Sequence, residues 1–564
     1  MIKRIIRIVL IFVSGLVFCD CYSQNPLVKQ WDKRFGGSRN DFLTCFQQTN
    51  DGGYILGGYS NSVISGDKTQ TKWGIYDYWI IKIDSSGNKE WDKDFKANDS
   101  DYLYALKQTS DGGYIIGGYS RSGIGGTKTQ DTWGSYDYWV IKTDSLGQKQ
   151  WDKDFGGNNI DQLYSVQQTF DGGYILGGRS YSGISGDKTQ SNWGYYDFWM
   201  VKIDSFGNKQ WDKDFGGTSE DWLYSLQQTS DGGYILGGWS NSGISGDKTE
   251  DNWDTIPYGR DYWIVKTDSL GNKLWDKDFG GTNNEKLFSL QQTVDKGYIL
   301  GGYSLSGISG DKTQANWGDY DYWIVKIDSV GNKQWDKDFG GTNNEDDFGM
   351  ISQTDDGGYL MSGTSFSHIS GDKTENNLGM EQTWVIKTDS LGNKQWDKTL
   401  HNNSVLHLNS GFTIQTKDGC YAMTNYNDGG IGGDRSQPNW DTVCLPACKY
   451  DYWIIKFCDT TLTIAIPNLQ SSLFNLQLFP NPATGSVHLT LPVRQAGINT
   501  KHNAPLECEI INIMGEKVYK FQIPPSSGGA NLQTRLDVSF LAKGIYLVRV
   551  GDGERWENRK LVIE

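Results

Sequence analysis

The stretch from Asp161 to Phe215 decides the fold. It reads DQLYSVQQT FDGGYILGGRS YSGISGDKTQSNWGYY DFWMVKIDS FGNKQWDKDF, and most of the chain consists of copies of it. The Trp-Asp-Lys that closes each copy recurs at Trp31, Trp91, Trp151, Trp211, Trp275, Trp335 and Trp396, at spacings of 60, 60, 60, 64, 60 and 61 residues. Self-similarity at one fixed period is the signature of a repeat architecture.

Each copy predicts four short strands, which in this copy cover 163–168, 174–178, 198–203 and 209–215. The first two flank Asp171-Gly172-Gly173, a hairpin turn that tolerates positive φ. A long loop separates the second strand from the third, and long loops are where function concentrates. In the fourth strand Gln210, Asp212 and Asp214 share one face, a charge pattern typical of an outer edge strand that must not pair with another molecule.

Four strands in each ~60-residue unit predict a propeller blade rather than a solenoid coil. Seven third strands are marked by Trp79, Trp139, Trp199, Trp263, Trp323, Trp384 and Trp453. The repeats begin with a fourth strand at 28–33 and finish with a third strand at 451–456. The N-terminal strand can therefore complete the last blade, so the sequence predicts an all-β, closed seven-bladed β-propeller over residues 24–458.

The composition fits such a fold and argues against one class of function, nucleic-acid binding. The 564 residues include 71 Gly, 23 Trp and 31 Tyr, as expected of short strands and tight turns. The net charge of -15 argues against binding to nucleic acid, which needs a basic surface. Lys3, Arg4 and Arg7 precede a short apolar run, so residues 1–23 are predicted to be a cleaved signal peptide and the mature chain to be exported and not membrane-spanning.

The Tyr-Ile-Leu-Gly-Gly strand, the Tyr-Trp-Ile-Val-Lys strand and the Trp-bearing fourth strand together resemble a kelch repeat over roughly residues 28 to 458. The turn from Asp144 to Trp151 and its copies also look like the repeats of quinoprotein propellers. Both resemblances imply the propeller fold. Neither implies a cofactor, because fold alone does not carry one.

The C-terminal part has a different pattern after a predicted linker at 459–476. Phe479-Pro480-Asn481-Pro482, the alternating strand at 487–491, the strand at 509–515 and the stretch from Leu541 to Val550 lead to the final Lys560-Leu561-Val562-Ile563-Glu564. Residues 477–564 are similar to the type A C-terminal sorting domain of type IX secretion cargo. The resemblance implies a small Ig-like β-sandwich, recognised by the outer-membrane translocon and removed by its sortase-like peptidase, and an extracellular or cell-surface location.

Four cysteines, Cys420, Cys444, Cys448 and Cys458, crowd into the last repeat. In an exported protein such a cluster predicts disulfides, with three pairings open. A four-cysteine zinc site is the alternative, although it normally shows two close pairs and only Cys444 and Cys448 are close here.

The long loops supply the candidate ligand-binding residues. Five of them carry a Gly-Asp-Lys-Thr segment, and six carry a tryptophan a few residues later: Trp73, Trp133, Trp193, Trp253, Trp317 and Trp440, with Leu378 in the sixth repeat. These loops emerge on one face of a propeller, where a ring of Trp, Asp, Asn and Lys would suit a glycan. The alternative is that each Trp folds under its own loop as a local core.

A second ring of acids precedes the first strands: Asp41, Asp101, Asp161, Asp221, Glu285 and Glu345. At the mouth of a central channel they could hold a hard cation such as calcium, the one cofactor that the sequence suggests. Alternatively they cap turns or remain solvated. The Gly-Asp-Lys loops are a further calcium candidate, which Thr127 weakens by replacing the Asp of the second repeat.

Catalysis has little support in the sequence. The chain has only five histidines, and no H-E-x-x-H, Walker or G-x-S-x-G motif. An active site would make one repeat differ from the others. His401 and His407, in the divergent seventh repeat, are the only such difference worth testing. The sequence therefore favours a non-catalytic propeller that binds an extracellular glycan or protein. A polysaccharide hydrolase or lyase using acid pairs, and a passive structural domain, are the alternatives.

Overall fold

The structure, a computed structural model, describes residues 27–254, 259–345, 347–404, 411–441 and 449–459, together with the C-terminal segments 477–479, 486–491, 506–512, 517–523, 532–541, 544–551 and 556–563. These residues fall into two compact units, divided after Asp459. Within the described part, no helix has the length and apolar character that crossing a membrane requires.

The first complete blade shows how the repeat folds. Strands β2 (Asp41–Gln48), β3 (Tyr54–Ser60), β4 (Asp77–Ile83) and β5 (Lys89–Phe95) form one antiparallel sheet in chain order. The hairpin between β2 and β3 turns at Gly52, whose φ of 86° is a conformation that side chains disfavour. A bulge between Leu43 and Cys45 interrupts the β2–β3 register.

The same sheet recurs along the chain, and we number the blades 1 to 7 in chain order. Blades 2 and 3 comprise β6 (Asp101–Gln108), β7 (Tyr114–Ser120), β8 (Asp137–Thr143), β9 (Lys149–Phe155), β10 (Asp161–Gln168), β11 (Tyr174–Ser180), β12 (Asp197–Ile203) and β13 (Lys209–Phe215). Blades 4 and 5 comprise β14 (Asp221–Gln228), β15 (Tyr234–Ser240), β16 (Asp261–Thr267), β17 (Lys273–Phe279), β18 (Glu285–Gln292), β19 (Tyr298–Ser304), β20 (Asp321–Ile327) and β21 (Lys333–Phe339). Blade 6 comprises β22 (Met350–Gln353), β23 (Tyr359–Ser365), β24 (Gln382–Thr388) and β25 (Lys394–Leu400).

Blade 7 is built from both ends of the repeat region. It combines β26 (Phe412–Gln415), β27 (Tyr421–Asn427) and β28 (Asp451–Asp459) with β1 (Leu27–Phe35) as its fourth strand. β1 runs antiparallel to β28, from Leu27 opposite Asp459 to Phe35 opposite Tyr452. The blade then meets blade 1, where Tyr452 Oη donates a hydrogen bond to the Trp79 carbonyl at 3.3 Å. The prediction of an all-β, seven-bladed propeller is confirmed.

The core lies between neighbouring sheets. One cluster joins Tyr78 and Ile80 of blade 1 to Leu103, Ile116 and Trp139 of blade 2, and each later junction repeats the arrangement. The third-strand tryptophans are fully buried. Because the interface between blades is apolar and continuous around the ring, each sheet depends on both of its neighbours.

The outer strands differ from expectation in one respect. Strands such as β13 do lie at the edge of their sheets. Their aspartates, however, are buried: Asp212 is only 5% and Asp214 only 6% exposed. The long loop of the same blade folds over them, so these two aspartates hold the loop and do not face solvent.

The seventh blade contains a disulfide between Cys420 and Cys458, whose Cα atoms lie 4.3 Å apart. It links the start of β27 to the end of β28 and closes a segment of 38 residues. Cys444 and Cys448 lie outside the described residues. The prediction of a disulfide in this cluster is confirmed, and a zinc site using all four thiolates is wrong because two of the sulfurs are bonded to each other.

The C-terminal unit contains two antiparallel sheets. One is formed by β29 (Gln477–Phe479), β30 (Ser486–Leu491) and β33 (Leu532–Asp537), and the other by β31 (Leu506–Asn512), β32 (Lys517–Ile523), β34 (Gly544–Gly551) and β35 (Trp556–Ile563). Glu509 is held by ion pairs with Lys517 and Arg549. The strands agree with the predicted β-rich domain, while its sandwich packing stays a prediction.

The closure can be tested through Asp32 of β1, which is buried against blade 7. Its Oδ2 accepts hydrogen bonds from Trp453 Nε1 at 3.2 Å and from the Ser436 backbone N–H at 2.8 Å. We expect Asp32→Ala to lower the free energy of unfolding by about 2 kcal/mol, because the buried Trp453 indole N–H loses its acceptor and β1 loses its hydrogen bond to the seventh loop. Denaturant unfolding of the purified chain measures this change.

A matched control exists in blade 3, where Asp212 accepts from Trp199 Nε1 and Thr189 in the same way within a continuous stretch of chain. Asp212→Ala should cost about as much as Asp32→Ala, roughly 2 kcal/mol. If the blade 3 substitution is costly and Asp32→Ala is neutral, β1 does not close the ring.

Candidate functional site

The long loop of each blade begins with a tight turn, which carries an Asp in six blades and Thr127 in blade 2. In blade 3, Ser185 and Lys188 exchange backbone hydrogen bonds of 3.2 and 2.9 Å around Gly186 and Asp187. Gly186 has a φ of 54°, and equivalent glycines in the other six loops have φ values between 54° and 60°. A residue free of steric cost at positive φ is needed here, which explains why glycine recurs at this position.

The loop is then fixed to the outer strand of its own blade. Lys188 forms a buried ion pair with Asp214. The Thr189 backbone N–H and hydroxyl donate to Asp212 at 2.9 and 2.7 Å. A buried lysine pairs with the corresponding outer-strand aspartate in blades 1, 2, 4 and 5 as well. The ion pair and hydrogen bonds make the loop a rigid part of the blade.

The loop tryptophan reaches across to the next blade. Trp133 of blade 2 lies against Gly186 of blade 3, where a Cβ atom would come within 2.9 Å of the indole ring. The indole N–H donates to Asp187 Oδ2 at 3.1 Å. The ring is nevertheless 61% exposed, so much of its surface is open to solvent.

The arrangement recurs around the propeller. Indole N–H groups meet the loop aspartate of the following blade in the pairs Trp133–Asp187, Trp193–Asp247, Trp253–Asp311, Trp317–Asp372 and Trp440–Asp67. Two junctions depart from this pattern, because Trp73 approaches a loop with Thr127 instead of Asp and blade 6 has Leu378 in place of Trp.

The six tryptophans are between 47% and 61% exposed, and each packs on the glycine of the following loop. The alternative that every Trp forms a core under its own loop is therefore wrong. The sequence carried no sign of this docking between blades, since the two partners are more than fifty residues apart and belong to different repeats.

Two of these Trp–Asp pairs, at Trp133 and at Trp253, each form one wall of a crevice between blades. The crevice at Trp133 has a volume of about 610 Å³ and is also lined by Gln130, Asp187, Asn208 and Lys209. An equivalent crevice of about 600 Å³ lies at Trp253. An open aromatic face with amide, carboxylate and ammonium groups at its rim can stack on a sugar ring and hydrogen-bond its hydroxyls.

The acids before the first strands lie inside the blades and not in the crevices. Asp41, Asp101, Asp161, Asp221, Glu285 and Glu345 are all completely buried. Asp221 accepts hydrogen bonds from the Gly217 N–H at 2.7 Å and the Ser242 hydroxyl at 3.1 Å, within its own blade. Five of the six cap the turn that enters their blade, as one alternative predicted, while Asp101 accepts a hydrogen bond from the Ser120 hydroxyl. Because all six are completely buried, they do not line an open channel mouth.

Burial raises the pKa of these carboxyl groups above the usual range. Desolvation raises the pKa of Asp101, Asp221 and Glu345 to about 7, although neighbouring serine hydroxyls partly offset it. Among the described residues, no group of three or more His, Cys, Asp or Glu is arranged to hold a metal ion. Calcium binding stays an untested prediction.

The histidines give no sign of a catalytic arrangement in the part of the chain that the structure describes. His401 Nε2 lies 2.8 Å from the Asn376 carbonyl, and Nδ1 lies 3.6 Å from Asp434. These contacts hold the entry to blade 7. His407 lies outside the described residues.

Comparison with known proteins identifies the C-terminal unit. Residues 477–564 match the family described as "Secretion system C-terminal sorting domain". These residues are a type IX sorting domain. The sorting domain implies export to the cell surface or the medium and contact with the secretion machinery, while the signal peptide and the peptidase stay predictions.

The propeller resembles solved structures only remotely. The Pan2 WD40 domain of Neurospora crassa is 10% identical, with a TM-score of 0.39 over 76% of this chain and 95% of that one. Sqt1 from Chaetomium thermophilum is also 10% identical, with a TM-score of 0.37 over 77% of this chain and 99% of that one. A putative gluconolactonase is 9% identical, with a TM-score of 0.30, covering 67% and 94%. Similarities this weak indicate no activity, and the sequence matches no curated protein.

The buried carboxyl groups predict how stability depends on pH. A carboxyl group whose pKa is about 7 when folded and ~4 when unfolded binds its proton more tightly in the native state. Stability should therefore rise as the pH falls from 8 to 5, and melting temperatures across this range measure it. Asp171, with a pKa of about 2, stays ionised throughout.

Asp221→Asn provides the control because it removes one titrating group at a buried position. The variant should show a smaller rise in melting temperature between pH 8 and pH 5 than the unaltered chain does. A melting temperature that falls steadily from pH 8 to pH 5 would contradict the raised pKa values.

Proposed function

We propose that the protein is an exported, non-catalytic recognition propeller that binds an extracellular glycan through the crevices between its blades. The observation that supports this most is the open indole of Trp133, fixed above Gly186 and hydrogen-bonded to Asp187. Because the indole is already held in place before any ligand arrives, little conformational entropy is lost on binding.

The groups around the indole suit hydroxyl-rich ligands. Asp187 is an acceptor, Asn208 offers an amide, and Lys209 contributes an ammonium group that also donates to the Asp187 carbonyl. Desolvation raises the pKa of Asp187, although the hydrogen bond from Trp133 acts in the opposite direction. A neutral or weakly charged sugar can stack on the indole and bond to this rim.

The recurrence of the Trp–Asp pair around the propeller also supports the proposal. Five junctions carry both the Trp and the Asp. A polymer with repeating units could occupy several crevices at once, so weak binding at each would add up to useful avidity. The sorting domain implies export, which supports a ligand among the glycan polymers that are available outside the cell.

A polysaccharide hydrolase or lyase is the competing function. Glycoside hydrolysis needs two carboxyl groups exposed to the same sugar. The acids before the first strands are each enclosed in their own blade, and Asp212 and Asp214 are covered by the loop. These acids therefore give the enzymatic alternative no support. A passive structural domain is also less favoured, because it would not require six half-exposed tryptophans on one face.

The test is a glycan array probed with the full chain and with tryptophan variants. Blade 6 itself carries Leu378 at this position, so Trp→Leu is a substitution that the repeat tolerates. We expect Trp133→Leu to weaken binding to the best glycan modestly. The five-fold variant W133L/W193L/W253L/W317L/W440L should weaken it at least about tenfold, equivalent to ~1.4 kcal/mol.

Phe170 gives the matched control. It is 73% exposed and lies in the turn between β10 and β11, none of whose residues line either crevice. F170L removes an exposed aromatic ring without touching the crevices and should leave binding unchanged. Equal loss in both sets of variants would contradict the proposal, and release of new reducing ends from the glycan would favour the hydrolase or lyase.

A further inference from the structure

The crevices at Trp133 and Trp253 differ in charge at a single position of their walls. Gln130 lines the first crevice, and Glu250 occupies the equivalent place in the second. In both side chains, one oxygen accepts a hydrogen bond of 2.9 Å from a backbone N–H of the outer strand. The other polar atom is an amide nitrogen in Gln130, which donates, and a carboxylate oxygen in Glu250, which accepts.

This position decides whether a lysine of the crevice wall has a counter-charge. In blade 4, Glu250 Oε1 forms an ion pair with Lys277, and blade 6 has the same Glu–Lys pair at 3.2 Å. In blade 2 the equivalent lysine is Lys153, and Gln130 has an amide NH₂ group in place of the accepting oxygen. Because that group only donates, Gln130 leaves Lys153 without the partner that Lys277 has.

Lys153 has no other partner in the part of the chain that the structure describes, because its Nζ forms neither an ion pair nor a hydrogen bond there. The stem of the side chain packs on Gly207 of blade 3, where an added Cβ atom would come within 2.8 Å of Lys153 Cγ. Hydrogen bonds from Asn208 lower the pKa of Asp204, and the charge of Lys153 acts in the same direction without forming an ion pair. The ammonium group therefore lies at the crevice wall without a bonded counter-charge.

The carboxylates that line the same crevice are already engaged in the fold. Asp187 accepts a hydrogen bond from the Trp133 indole. Asp131 accepts one from a backbone N–H at 2.8 Å, and Asp154 forms a buried ion pair with a lysine of its own blade. The crevice volume of about 610 Å³ leaves room for a sugar residue beside them. A ligand can therefore reach Lys153 and supply the acceptor that these side chains do not.

A carboxylate is the ligand group that matches these donors. One of its oxygens can accept from Lys153 and the other from the Gln130 amide, and hydrogen bonds between charged groups are stronger than neutral ones. The open indole of Trp133 can stack on the sugar ring that carries it. We propose that the crevice at Trp133 recognises an acidic sugar residue, a uronate, whereas the crevice at Trp253 does not select for the acid. This inference rests on the proposed function, because it specifies which glycan the crevices bind.

The test isolates one crevice at a time. The variant W193L/W253L/W317L/W440L keeps only the Trp–Asp pair of Trp133, and W133L/W193L/W317L/W440L keeps only that of Trp253. Isothermal titration calorimetry compares the trisaccharides of galacturonate and of glucuronate with their methyl esters, which keep the sugar rings and remove the charge. In the Trp133 protein, at least one acid should bind at least about tenfold more tightly than its ester. The Trp253 protein should not prefer either acid.

A reciprocal exchange tests the position itself. In the Trp133 protein, Gln130→Glu installs the carboxylate of blade 4 and should weaken binding of the acid at least about tenfold while leaving binding of the ester unchanged. In the Trp253 protein, Glu250→Gln frees Lys277 and should create a preference for the acid. The repeats already carry both residues at this position, so both variants should keep their melting temperatures.

The outcomes separate this inference from the proposed function. Equal affinity of the Trp133 protein for acid and ester, no binding of either acid, or an unchanged preference after Gln130→Glu would overturn the uronate assignment. If the full chain still binds a glycan on the array and loses it in the five-fold tryptophan variant, the proposed function stands without it. Tighter binding of a short poly-glutamate peptide than of either uronate would assign the crevice to an acidic protein partner instead.

Discussion

A buried aspartate on the outer strand of each blade holds the structure together. In blade 3, Asp212 accepts hydrogen bonds from Trp199 of the neighbouring strand and from Thr189 of the long loop. In blade 7 the same role falls to Asp32, which lies more than 400 residues from the loop that it holds. The hydrogen bonds of Asp32 therefore close the ring and fix the seventh loop at the same time. The apolar interfaces supply most of the stability, but this polar contact determines where the loops lie.

The period and strand pattern made the architecture predictable. Seven Trp-bearing third strands and a leading fourth strand allowed few alternatives to a closed ring, and the sheets have that order. The burial of Asp212 and Asp214 was not predictable in this way. Alternation along a strand shows which residues share a face, but it does not show that a loop of the same blade covers that face.

The candidate site was predicted in part. The recurrence of Trp after Gly-Asp-Lys-Thr drew attention to Trp133 and its copies, and the crevices do form at Trp133 and Trp253. The partner of each Trp lies in the next repeat. Because nearly every repeat contains both the Trp and the Asp, the sequence does not show whether they pair within one repeat or between two. The buried Arg179 of blade 3, which stacks on Trp222 of blade 4, was missed for the opposite reason. A search for recurring residues passes over the positions where repeats differ.

Those differences separate scaffold from specificity. Residues that hold the loop, such as Lys188 and Asp214, are matched in most blades because the long loop packs on the outer strand in the same way in each of them. The second residue of the first strand has no such requirement, and it differs between blades: it is Phe42 in blade 1, Gln162 in blade 3 and Lys286 in blade 5. Recurring residues therefore build the scaffold and the crevices, which under the proposed function provide several equivalent contacts to a repeating polymer. Only the positions that vary could make one blade different from another to a ligand.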